Sequence, residues 1–547
     1  MKNKDIANVF KNLAAIMELH DESAFKTRSY NTAYVNLRRL DQPIADMDET
    51  TISALPGVGK AIKDKILELL ETGHLSTYQK YAEITPPGII DMLSIKGLGP
   101  KKVKVIWEDM EIETVGELLY ACNENRLSQY KGFGLKTQEA IKQKIEYYFQ
   151  SQGKFRYGTI IEIAEELLAD IRHIYTGTPV ELTGDIRRKC NTLDKIEILI
   201  GDTELAEEIF EQGLLEIINE EEGVVEAKNE NGMLVLLYLV DEADFISSWF
   251  YTTASEGFRN SIGDLPMGNF EDEAAIFEKI GLPYFVPEMR EKGMHKLQVV
   301  ASDLVKQSDI EGVIHSHTTY SDGINTLAQM ATAAKEKGYS YIGITDHSQT
   351  AFYANGLKPD RLLQQIDEID RLNTKMNDFT ILKGIESDIL GDGRLDYEQS
   401  LLDQLDFVIA SVHANLNMDE AKATNRIIKA IEHPATSMLG HPTGRLLLSR
   451  KGYPLDHKKV IDACAANQVS IEINASPYRL DIDWTWIPYC MEKGVLLSIN
   501  PDAHSIGGID DIAYGVASAR KGGLTKEACL NTRDVEGFMS LLKRGPV

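Results

Sequence analysis

Seven short apolar segments recur between residues 312 and 547, and a helical pattern separates each one from the next. Strands that alternate with helices in this way form a parallel sheet or barrel. Seven strands over roughly 235 residues fit a TIM-like barrel. The segments read GVIHSH, YIGITDH, TILKGIES, FVIASVH, SMLGHP, VSIEINAS and LLSINPDAH.

Metal-binding side chains stand at the ends of these strands, where barrel enzymes build their sites. A lone histidine is more often a surface or core residue, but six of the 12 histidines stand here beside three carboxylates, which packing does not explain. Histidine-rich ligation with a bridging carboxylate suits Zn²⁺, Mn²⁺ or iron, and predicts metal-assisted phosphoester hydrolysis. The predicted ligands are His315, His317, Asp322, His347, Glu386, His413, His441, Asp502 and His504.

Two arginines follow strands at the same rim, Arg445 in HPTGR and Arg479 in NASPYRLD. Either one is a catalytic candidate, because a guanidinium holds a phosphate through paired N–H donors. A salt bridge at the rim explains them equally well. His433 and His457 fall in or near helical patterns and are not predicted to be ligands.

Three loops in the first 150 residues repeat one pattern, in which a hydrophobic residue precedes two glycines and a basic helix start. Such glycines let the backbone turn tightly and expose N–H groups that cradle a phosphate. A glycine between two packed helices explains one copy, but three copies favour contacts to DNA phosphates, which do not read sequence. The loops are LPGVGKAIKDKI (55–66), IKGLGPKKVKVI (95–106) and YKGFGLKTQEAI (130–141), and the predicted contacts are Gly57, Gly59, Lys60, Lys65, Gly97, Gly99, Lys101, Lys102, Gly132 and Gly134.

The net charge of −26 argues against nucleic acid as a partner unless basic residues cluster locally or metals offset carboxylates. The second loop supplies a cluster, since Lys96, Lys101, Lys102 and Lys104 have no acidic residue among them. Five scattered cysteines without a CxxC indicate a reducing cytoplasm. We see no bilayer-spanning apolar run and no signal peptide, so we expect a cytoplasmic protein without a membrane partner.

Residues 155–240 read as an α+β unit, and the segment TLDKIEILIG within it raises a chemical question. A nucleotide-transfer site needs at least two carboxylates on one strand face to hold Mg²⁺. Side chains alternate along a strand, so Lys195 and Glu197 share a face and Asp194 points the other way. An ammonium group at a metal position repels Mg²⁺, and we favour an ion pair between Lys195 and Glu197 on that face.

The first 300 residues resemble the family-X DNA polymerases, the polymerase beta group. The glycine loops are similar to its helix–hairpin–helix elements, and TGDIRRKCN matches its G-S-x-R-R-G turn with Asp185 at the serine position. The resemblance implies aspartates where Lys195, Glu197 and, in our register, Leu236 stand, so the polymerase site looks degenerate. Lys65 matches the lysine that forms a Schiff base with a deoxyribose-phosphate aldehyde, although we prefer a plain phosphate-binding role for it.

Residues 312–547 closely resemble the PHP (polymerase and histidinol phosphatase) domain at all nine predicted ligand positions. The resemblance implies three divalent metal ions, Mn²⁺ and/or Zn²⁺. His315, His317, Glu386 and Asp502 would hold one ion; Glu386 would bridge to a second, held also by His413 and His441; and Asp322, His347 and His504 would hold the third.

The combined order is similar to that of bacterial family-X polymerases with a C-terminal PHP domain. That family implies a Mn²⁺-dependent 3′→5′ exonuclease acting on 3′ ends or abasic sites in base-excision repair, and we expect a monomer that binds gapped or nicked DNA. The fold class is multidomain: an all-α helix–hairpin–helix region, an α+β nucleotidyltransferase-like palm and thumb, and a TIM-like (β/α)7 PHP barrel. The predicted domains are 1–80 (lyase-like, DNA-binding), 81–150 (fingers), 151–240 (degenerate palm), 241–305 (thumb) and 312–547 (PHP).

Three other functions stay open. A histidinol-phosphatase-like enzyme on small phosphomonoesters would have no need of the glycine loops. An active gap-filling polymerase would require Asp194 or Asp241 to serve as a metal ligand in another register. A non-catalytic DNA-end binder would hold a structural metal tightly and leave no open coordination position.

Overall fold

The computed structural model describes residues 3–38, 40, 42–95, 97–150, 153–211, 213–230 and 232–542. The chain divides into two compact units. The first comprises Met1–Cys122 and Leu127–Tyr148, and the second comprises Asn123–Arg126 and Phe149–Val547. Within the described ranges, no helix is both long and apolar enough to cross a lipid bilayer.

The first unit consists of helices joined by short turns, as its amphipathic pattern predicts. Ile6, Phe10 and Leu13 lie on one face of the first helix, because they are three or four residues apart, and they are buried in one core with Leu37 and Ile66. The helices are α1 (Asn3–Leu19), α2 (Ala24–Leu37), α3 (Glu49–Ser53), α4 (Lys60–Thr72), α5 (Ser76–Glu83), α6 (Pro87–Ser94), α7 (Pro100–Lys104), α8 (Val115–Asn123) and α9 (Leu135–Gln150).

The second unit begins with an α+β region followed by a small helical region. The helical region has its own core, in which Phe250, Phe258 and Phe277 are buried together. The elements are β1 (Phe155–Arg156), α10 (Tyr157–Ile174), β2 (Val180–Leu182), α11 (Gly184–Arg187), β3 (Thr192–Leu193), β4 (Ile196–Ile200), α12 (Glu208–Glu211), β5 (Leu215–Glu221), β6 (Val224–Asn229), β7 (Leu234–Leu239), α13 (Phe245–Thr253), α14 (Glu256–Ile262) and α15 (Glu273–Lys279).

The main sheet of the α+β region has the order β2-β4-β7-β6-β5. Strands β4 and β7 run parallel and the other pairs are antiparallel. Every residue of β4 is buried, which explains its continuous apolar run. The pairing sets Glu197 on β4 opposite Leu236 on β7. The neighbouring strand therefore offers no carboxylate beside Glu197.

The barrel follows, and its strands are all parallel. Strands β10 and β11 together fill one of seven strand positions, so the predicted seven-stranded architecture is confirmed. The elements are β8 (Gly312–Ser316), α16 (Leu327–Glu336), β9 (Tyr341–Ile344), α17 (Pro359–Asn373), β10 (Thr380–Lys383), β11 (Glu386–Asp388), α18 (Gln399–Leu402), β12 (Ile409–Ser411), α19 (Glu420–Ile431), β13 (Met438–Leu439), α20 (His457–Asn467), β14 (Ser470–Asn474), α21 (Ile487–Glu492), β15 (Leu497–Asn500), α22 (Ile512–Lys521) and α23 (Val535–Leu542).

The barrel closes between its first and last strands. The backbone N–H of His317 donates to the carbonyl of Ala503 at 2.8 Å, and the N–H of Ala503 donates to the carbonyl of His315 at 3.1 Å. A bridge between His347 and Glu386 links the two remaining sheet segments. The carboxyl ends of all seven strands are thereby brought to one rim.

A buried lysine on α22 joins the barrel to the preceding regions of the same unit. Lys521 is 2% exposed, and its Nζ lies 2.6 Å from Oε1 of Glu291 and 3.1 Å from the carbonyl of Arg188. Beside it, Nε of Arg520 lies 2.6 Å from Oε1 of Glu288. A buried ammonium group needs such partners, because an unpaired buried charge is strongly destabilising.

Candidate metal centre

Glu386 lies at the middle of the rim, at the start of β11. Its Oε1 is 2.9 Å from Nε2 of His441 and 3.0 Å from Nε2 of His413. Its Oε2 is 2.9 Å from Nδ1 of His347. Both oxygens therefore face imidazole nitrogens from other strands, and this geometry suits a carboxylate that bridges two ions.

The other carboxylates extend the cluster along the rim. Oδ1 of Asp502 lies 3.1 Å from Nε2 of His317 and 3.4 Å from Nε2 of His315. Asp322 lies 3.5 Å from Nε2 of His347 through Oδ2, and 3.4 Å from Nε2 of His504 through Oδ1. All nine side chains singled out in the sequence thus meet in one place.

The unsatisfied atoms of this cluster provide a test of whether metal ions fit. A buried polar atom without a hydrogen-bond partner is costly, so each one calls for an explanation. In the part of the chain that the structure describes, many such atoms belong to the side chains of this cluster, and divalent cations bound among them would satisfy several. The atoms are Nε2 of His315, Nδ1 of His317, Oδ2 of Asp322, both ring nitrogens of His347, Oε2 of Glu386, Nδ1 of His441 and Nε2 of His504.

The side chains form three overlapping groups that could each hold a metal ion. These groups overlap more than the three predicted ligand sets do, because His317 and His347 each belong to two groups. The groups are His317 with Asp322, His347 and His504; His315 with His317 and Asp502; and His347 with Glu386 and His413.

Two of these residues adopt a backbone conformation that L-amino acids rarely use. The φ angle is 66° at His315 and 55° at Asp502. A left-handed conformation costs a non-glycine residue on the order of 1 kcal/mol, and such strain concentrates at functional sites. Here it aims both side chains at the rim where β8 meets β15.

The carboxylates and imidazoles of the cluster shift one another's pKa values. Burial raises the pKa of Glu386, but neighbouring imidazoles, chiefly those of His413 and His315, outweigh it and hold that pKa well below its usual range. Burial lowers the pKa of His347, but Asp322 and Glu386 raise it well above its usual value. The carboxylates are therefore ionised, and cations that displace the imidazole protons would release them to solvent.

Two further buried carboxylates adjoin the cluster and escaped the sequence analysis. Glu472 on β14 lies 2.6 Å from Nδ1 of His315, and Asp388 on β11 lies 2.5 Å from Nδ1 of His413. Asp388 stands two positions after Glu386, which on a strand places both on one face, so alternation was a usable signal for it. Glu472 lies in the middle of VSIEINAS and carries no comparable signal.

The two rim arginines differ in their surroundings. The guanidinium of Arg445 donates to the carbonyls of Arg479 and Leu480, and its Nη1 lies 2.5 Å from Asp483, so the salt-bridge alternative describes it. Arg479 is 3% exposed, and its Nε lies 3.8 Å from Oδ2 of Asp502. Only Arg479 of this pair adjoins the predicted ligands.

In the polymerase-like region, Glu197 does not form the expected ion pair with Lys195. Glu197 accepts a hydrogen bond from the backbone N–H of Asp185 at 3.0 Å and one from the hydroxyl of Tyr238 at 2.9 Å. A Cβ atom at Gly184 would lie 1.9 Å from its Oε2, so only glycine fits there. Lys195 lies 3.9 Å from Asp194 instead. The predicted pair of Lys195 with Glu197 is wrong, because the start of α11 and strand β7 each supply Glu197 with a hydrogen-bond donor.

The three glycine loops of the first unit share one backbone geometry. The first glycine of each has a positive φ angle: 78° at Gly57, 97° at Gly97 and 95° at Gly132. The second glycine of each directly precedes a helix, namely α4, α7 and α9. These are the tight turns that the sequence predicts, and their repetition places helix starts at three comparable points.

The lysines near these turns are not equivalent. Lys101 is exposed, whereas Lys104 pairs with Asp21, which is distant in sequence, and lies 3.7 Å from Glu108, four residues further on. Acidic residues thus partly neutralise the predicted cluster. Lys65 donates a hydrogen bond to the hydroxyl of Thr77 at 2.9 Å. Lys96 lies outside the described residues.

Comparisons with known proteins agree with this architecture. A helix-hairpin-helix domain model matches residues 1–75, a SAM-like helix-hairpin-helix tandem matches 89–146, and a PHP domain model matches 314–476. A probable phosphatase of Thermoanaerobacter sp. (strain X514) is 29% identical over 240 residues, which cover 42% of this chain and 93% of that protein. A probable phosphatase of Vibrio atlanticus is 29% identical over 218 residues, covering 36% of this chain and 80% of that protein.

The fold and the rim thus define a helix–hairpin–helix protein joined to a PHP domain. One relative extends the match to the whole chain: the DNA polymerase/3′-5′ exonuclease PolX of Bacillus subtilis (strain 168) is 32% identical over 576 aligned positions, which cover 100% of both chains. The chain belongs to the bacterial family-X DNA polymerases that carry a C-terminal PHP domain.

Proposed function

We propose that the chain is a metal-dependent 3′→5′ exonuclease that binds DNA through its helix–hairpin–helix turns and cleaves terminal phosphodiesters at the barrel rim. The observation that carries this proposal is the convergence of six imidazoles and three carboxylates at one rim, where seven of these side chains each have at least one buried atom without a hydrogen-bond partner. Removal of nucleotides from 3′ ends at gaps would serve DNA repair.

The residues of the rim would divide the work. Two or three divalent ions, Mn²⁺ or Zn²⁺, would activate water and neutralise phosphoryl charge when bound. Glu386 would bridge two of them, since its two oxygens face different imidazoles. Arg479 is close enough to Asp502 to orient that ligand and to face the phosphate from the same side.

The palm would bind DNA without adding nucleotides to it. Its best-placed carboxylate, Glu197, is already held by the Asp185 N–H and the Tyr238 hydroxyl. Its neighbour across the sheet is Leu236, and no second carboxylate pairs with it there. One occupied carboxylate is insufficient for two-metal phosphoryl transfer.

One assay separates these activities. The protein is incubated with a 5′-labelled gapped duplex, Mn²⁺ and all four deoxynucleoside triphosphates. We expect the primer strand to shorten, and the variant His315→Ala to lose about 100-fold or more of that rate, because a buried ligand is removed. His433→Ala is the control, since His433 lies between α19 and β13, at the opposite end of the barrel. Primer extension by the wild type would show instead that the palm is active.

A second candidate function is hydrolysis of small phosphomonoesters, which the matches to the two probable phosphatases favour. The same two variants assayed on p-nitrophenyl phosphate test it. If p-nitrophenyl phosphate is hydrolysed in a way that depends on His315, and gapped DNA stays intact, this second function would replace the exonuclease proposal. The three glycine turns favour the DNA substrate, because a small metabolite does not require them.

A further inference from the structure

Glu472 is a fully buried carboxylate next to the rim, and both of its oxygens are hydrogen-bonded. It is 0% exposed, and four donors surround it. Its Oε2 accepts from Nδ1 of His315 at 2.6 Å and from the side-chain amide of Asn500 at 2.9 Å. Its Oε1 accepts from the backbone N–H of His441 at 3.1 Å and from the side-chain amide of Asn474 at 2.9 Å.

These four bonds exclude Glu472 as a metal ligand. An ionised carboxylate offers about four lone-pair sites, and each of these is filled by a protein donor. Three of the partners, the His441 N–H and the two amide NH₂ groups, can only donate, so Glu472 accepts each of these hydrogen bonds. The fourth partner, Nδ1 of His315, must then carry the proton.

The bonds of Glu472 reach several predicted ligands at once. They hold the imidazole of His315 and the backbone of His441 directly. The amide of Asn474 also donates to Oδ2 of Asp502 at 3.0 Å, which connects Glu472 to a third ligand. Partners of this kind fix the tautomer and the orientation of metal-binding histidines.

We propose that Glu472 is the positioning residue of the metal centre: it keeps the proton of His315 on Nδ1, so that Nε2 is free to bind a metal ion, and it fixes His441 and Asp502 around the same ions. This inference rests on the proposed metal centre. It assigns a role to a residue that binds neither metal nor substrate.

The isosteric variant Glu472→Gln breaks this arrangement for a specific reason. A glutamine amide has one acceptor and one donor end, but every neighbour of residue 472 is a donor. The acceptor end must satisfy the backbone N–H of His441, which cannot change. The NH₂ end then faces Nδ1 of His315, the His315 proton moves to Nε2, and that nitrogen can no longer bind a metal.

Asp388 provides a matched control, because the same change there is tolerable. Its Oδ1 accepts from Nδ1 of His413 at 2.5 Å and its Oδ2 from the hydroxyl of Thr350 at 2.7 Å. In Asp388→Asn, the amide oxygen still accepts from His413. The NH₂ group donates to Thr350, whose hydroxyl accepts as readily as it donates.

The test is Mn²⁺ binding by the full-length protein. Wild type, Glu472→Gln and Asp388→Asn are stripped with a chelator, dialysed and titrated with Mn²⁺ by calorimetry, and the thermal unfolding of each metal-free protein is recorded. We expect Glu472→Gln to bind Mn²⁺ about 10- to 100-fold more weakly, and Asp388→Asn to stay within about threefold of wild type. The unfolding temperatures of the metal-free proteins show that both variants are folded.

Wild-type affinity in Glu472→Gln would overturn the inference, and so would an equal loss in both variants. If Glu472→Gln is not recovered folded, Glu472→Asp replaces it. This variant keeps the charge but withdraws the carboxylate from His315, so we expect weaker binding, and wild-type affinity would again overturn the inference. Absence of Mn²⁺ binding by the wild type would overturn the proposed metal centre itself.

Discussion

Glu273 illustrates how single buried charges organise the helical region that precedes the barrel. Its Oε2 lies 2.8 Å from Nη2 of Arg290 and 2.7 Å from Nη2 of Arg187. Arg290 is 0% exposed, so this carboxylate compensates a fully buried cation. Burial alone raises the pKa of Glu273, but the two guanidinium groups outweigh it and lower that pKa to about 2.

The depressed pKa of Glu273 predicts an acid-dependent stability. A carboxyl whose pKa falls from 4.5 unfolded to about 2 folded stabilises the protein above pH 4.5, and this contribution is lost as the pH drops toward 2. At pH 7, Glu273→Gln should lower the free energy of unfolding by about 3–5 kcal/mol, because both arginines lose their counter-ion. Between pH 7 and pH 3.5 the difference in free energy of unfolding between the wild type and Glu273→Gln should narrow by about 1–2 kcal/mol.

Urea unfolding followed by tryptophan fluorescence measures this gap at each pH. The side chain of Trp249 lies against Arg187, with the guanidinium carbon 3.3 Å from the ring centroid, so it reports on this region. Glu256→Gln, an exposed position on α14, serves as the control and should leave the free energy of unfolding nearly unchanged. A gap that stays constant with pH would contradict the assignment to Glu273.

Among the elements, the helix–hairpin–helix turn is the one most faithfully repeated. In each copy the same backbone bond closes the turn: Val58 to Leu55 at 3.1 Å, Leu98 to Ile95 at 3.0 Å and Phe133 to Tyr130 at 3.0 Å. The second glycine then accepts from the fourth residue beyond it, as in Lys63 to Gly59 at 2.9 Å. Each turn thus leaves helix-start N–H groups available for a phosphate.

The lysines of the second turn predict a graded effect on DNA binding. Substitution of both Lys101 and Lys102 by alanine should reduce the slope of log K against log salt by about 1.8, since each phosphate contact contributes about 0.9. Lys104→Ala should change the slope less, because Lys104 already pairs with Asp21. Fluorescence anisotropy with a gapped duplex at several salt concentrations measures the slopes. Equal slopes for wild type and the double variant would remove this turn from the DNA interface.

The sequence sufficed for features that depend on order along the chain. Parallel strands all end at one rim, so the histidines of ITDH, ASVH and LGHP could be grouped without knowing any tertiary contact. The role of Glu472 could not be found this way, because its neighbours come from three other strands. The partners of Glu197, a backbone N–H in α11 and a hydroxyl on β7, were missed for the same reason, because they come from other elements of the fold.

At the scale of the whole molecule, the distribution of charge matters more than its sum. The net charge of −26 suggests repulsion from DNA. Some of the negative charge, however, is carried by buried carboxylates of the second unit that face imidazoles or guanidinium groups. The exposed lysines beside the glycine turns lie in the first unit. The local electric field near those turns, rather than the net charge of the protein, governs contact with a phosphate backbone.

The two units should respond differently to metal. A ligand that binds only the folded state stabilises it by about 2.7 kcal/mol at one hundred times its dissociation constant. Mn²⁺ should therefore raise the unfolding temperature of the second unit, which contains the rim, and leave that of the first unchanged. Scanning calorimetry with Mn²⁺ and with chelator measures this, and His315→Ala should abolish the shift. An upward shift of both transitions would refute a site confined to the barrel.

The seam that closes the barrel also sets an order of events in folding. His317 and Asp502 are 185 positions apart in sequence, and Ser316 pairs with Ala503 where their strands meet. Contacts of such long range form late, because the chain between them must first lose much of its freedom. Two of the three candidate ion sites, His317 with Asp322, His347 and His504 and His315 with His317 and Asp502, draw ligands from both sides of this seam, so these two sites are complete only once the final strand is in place.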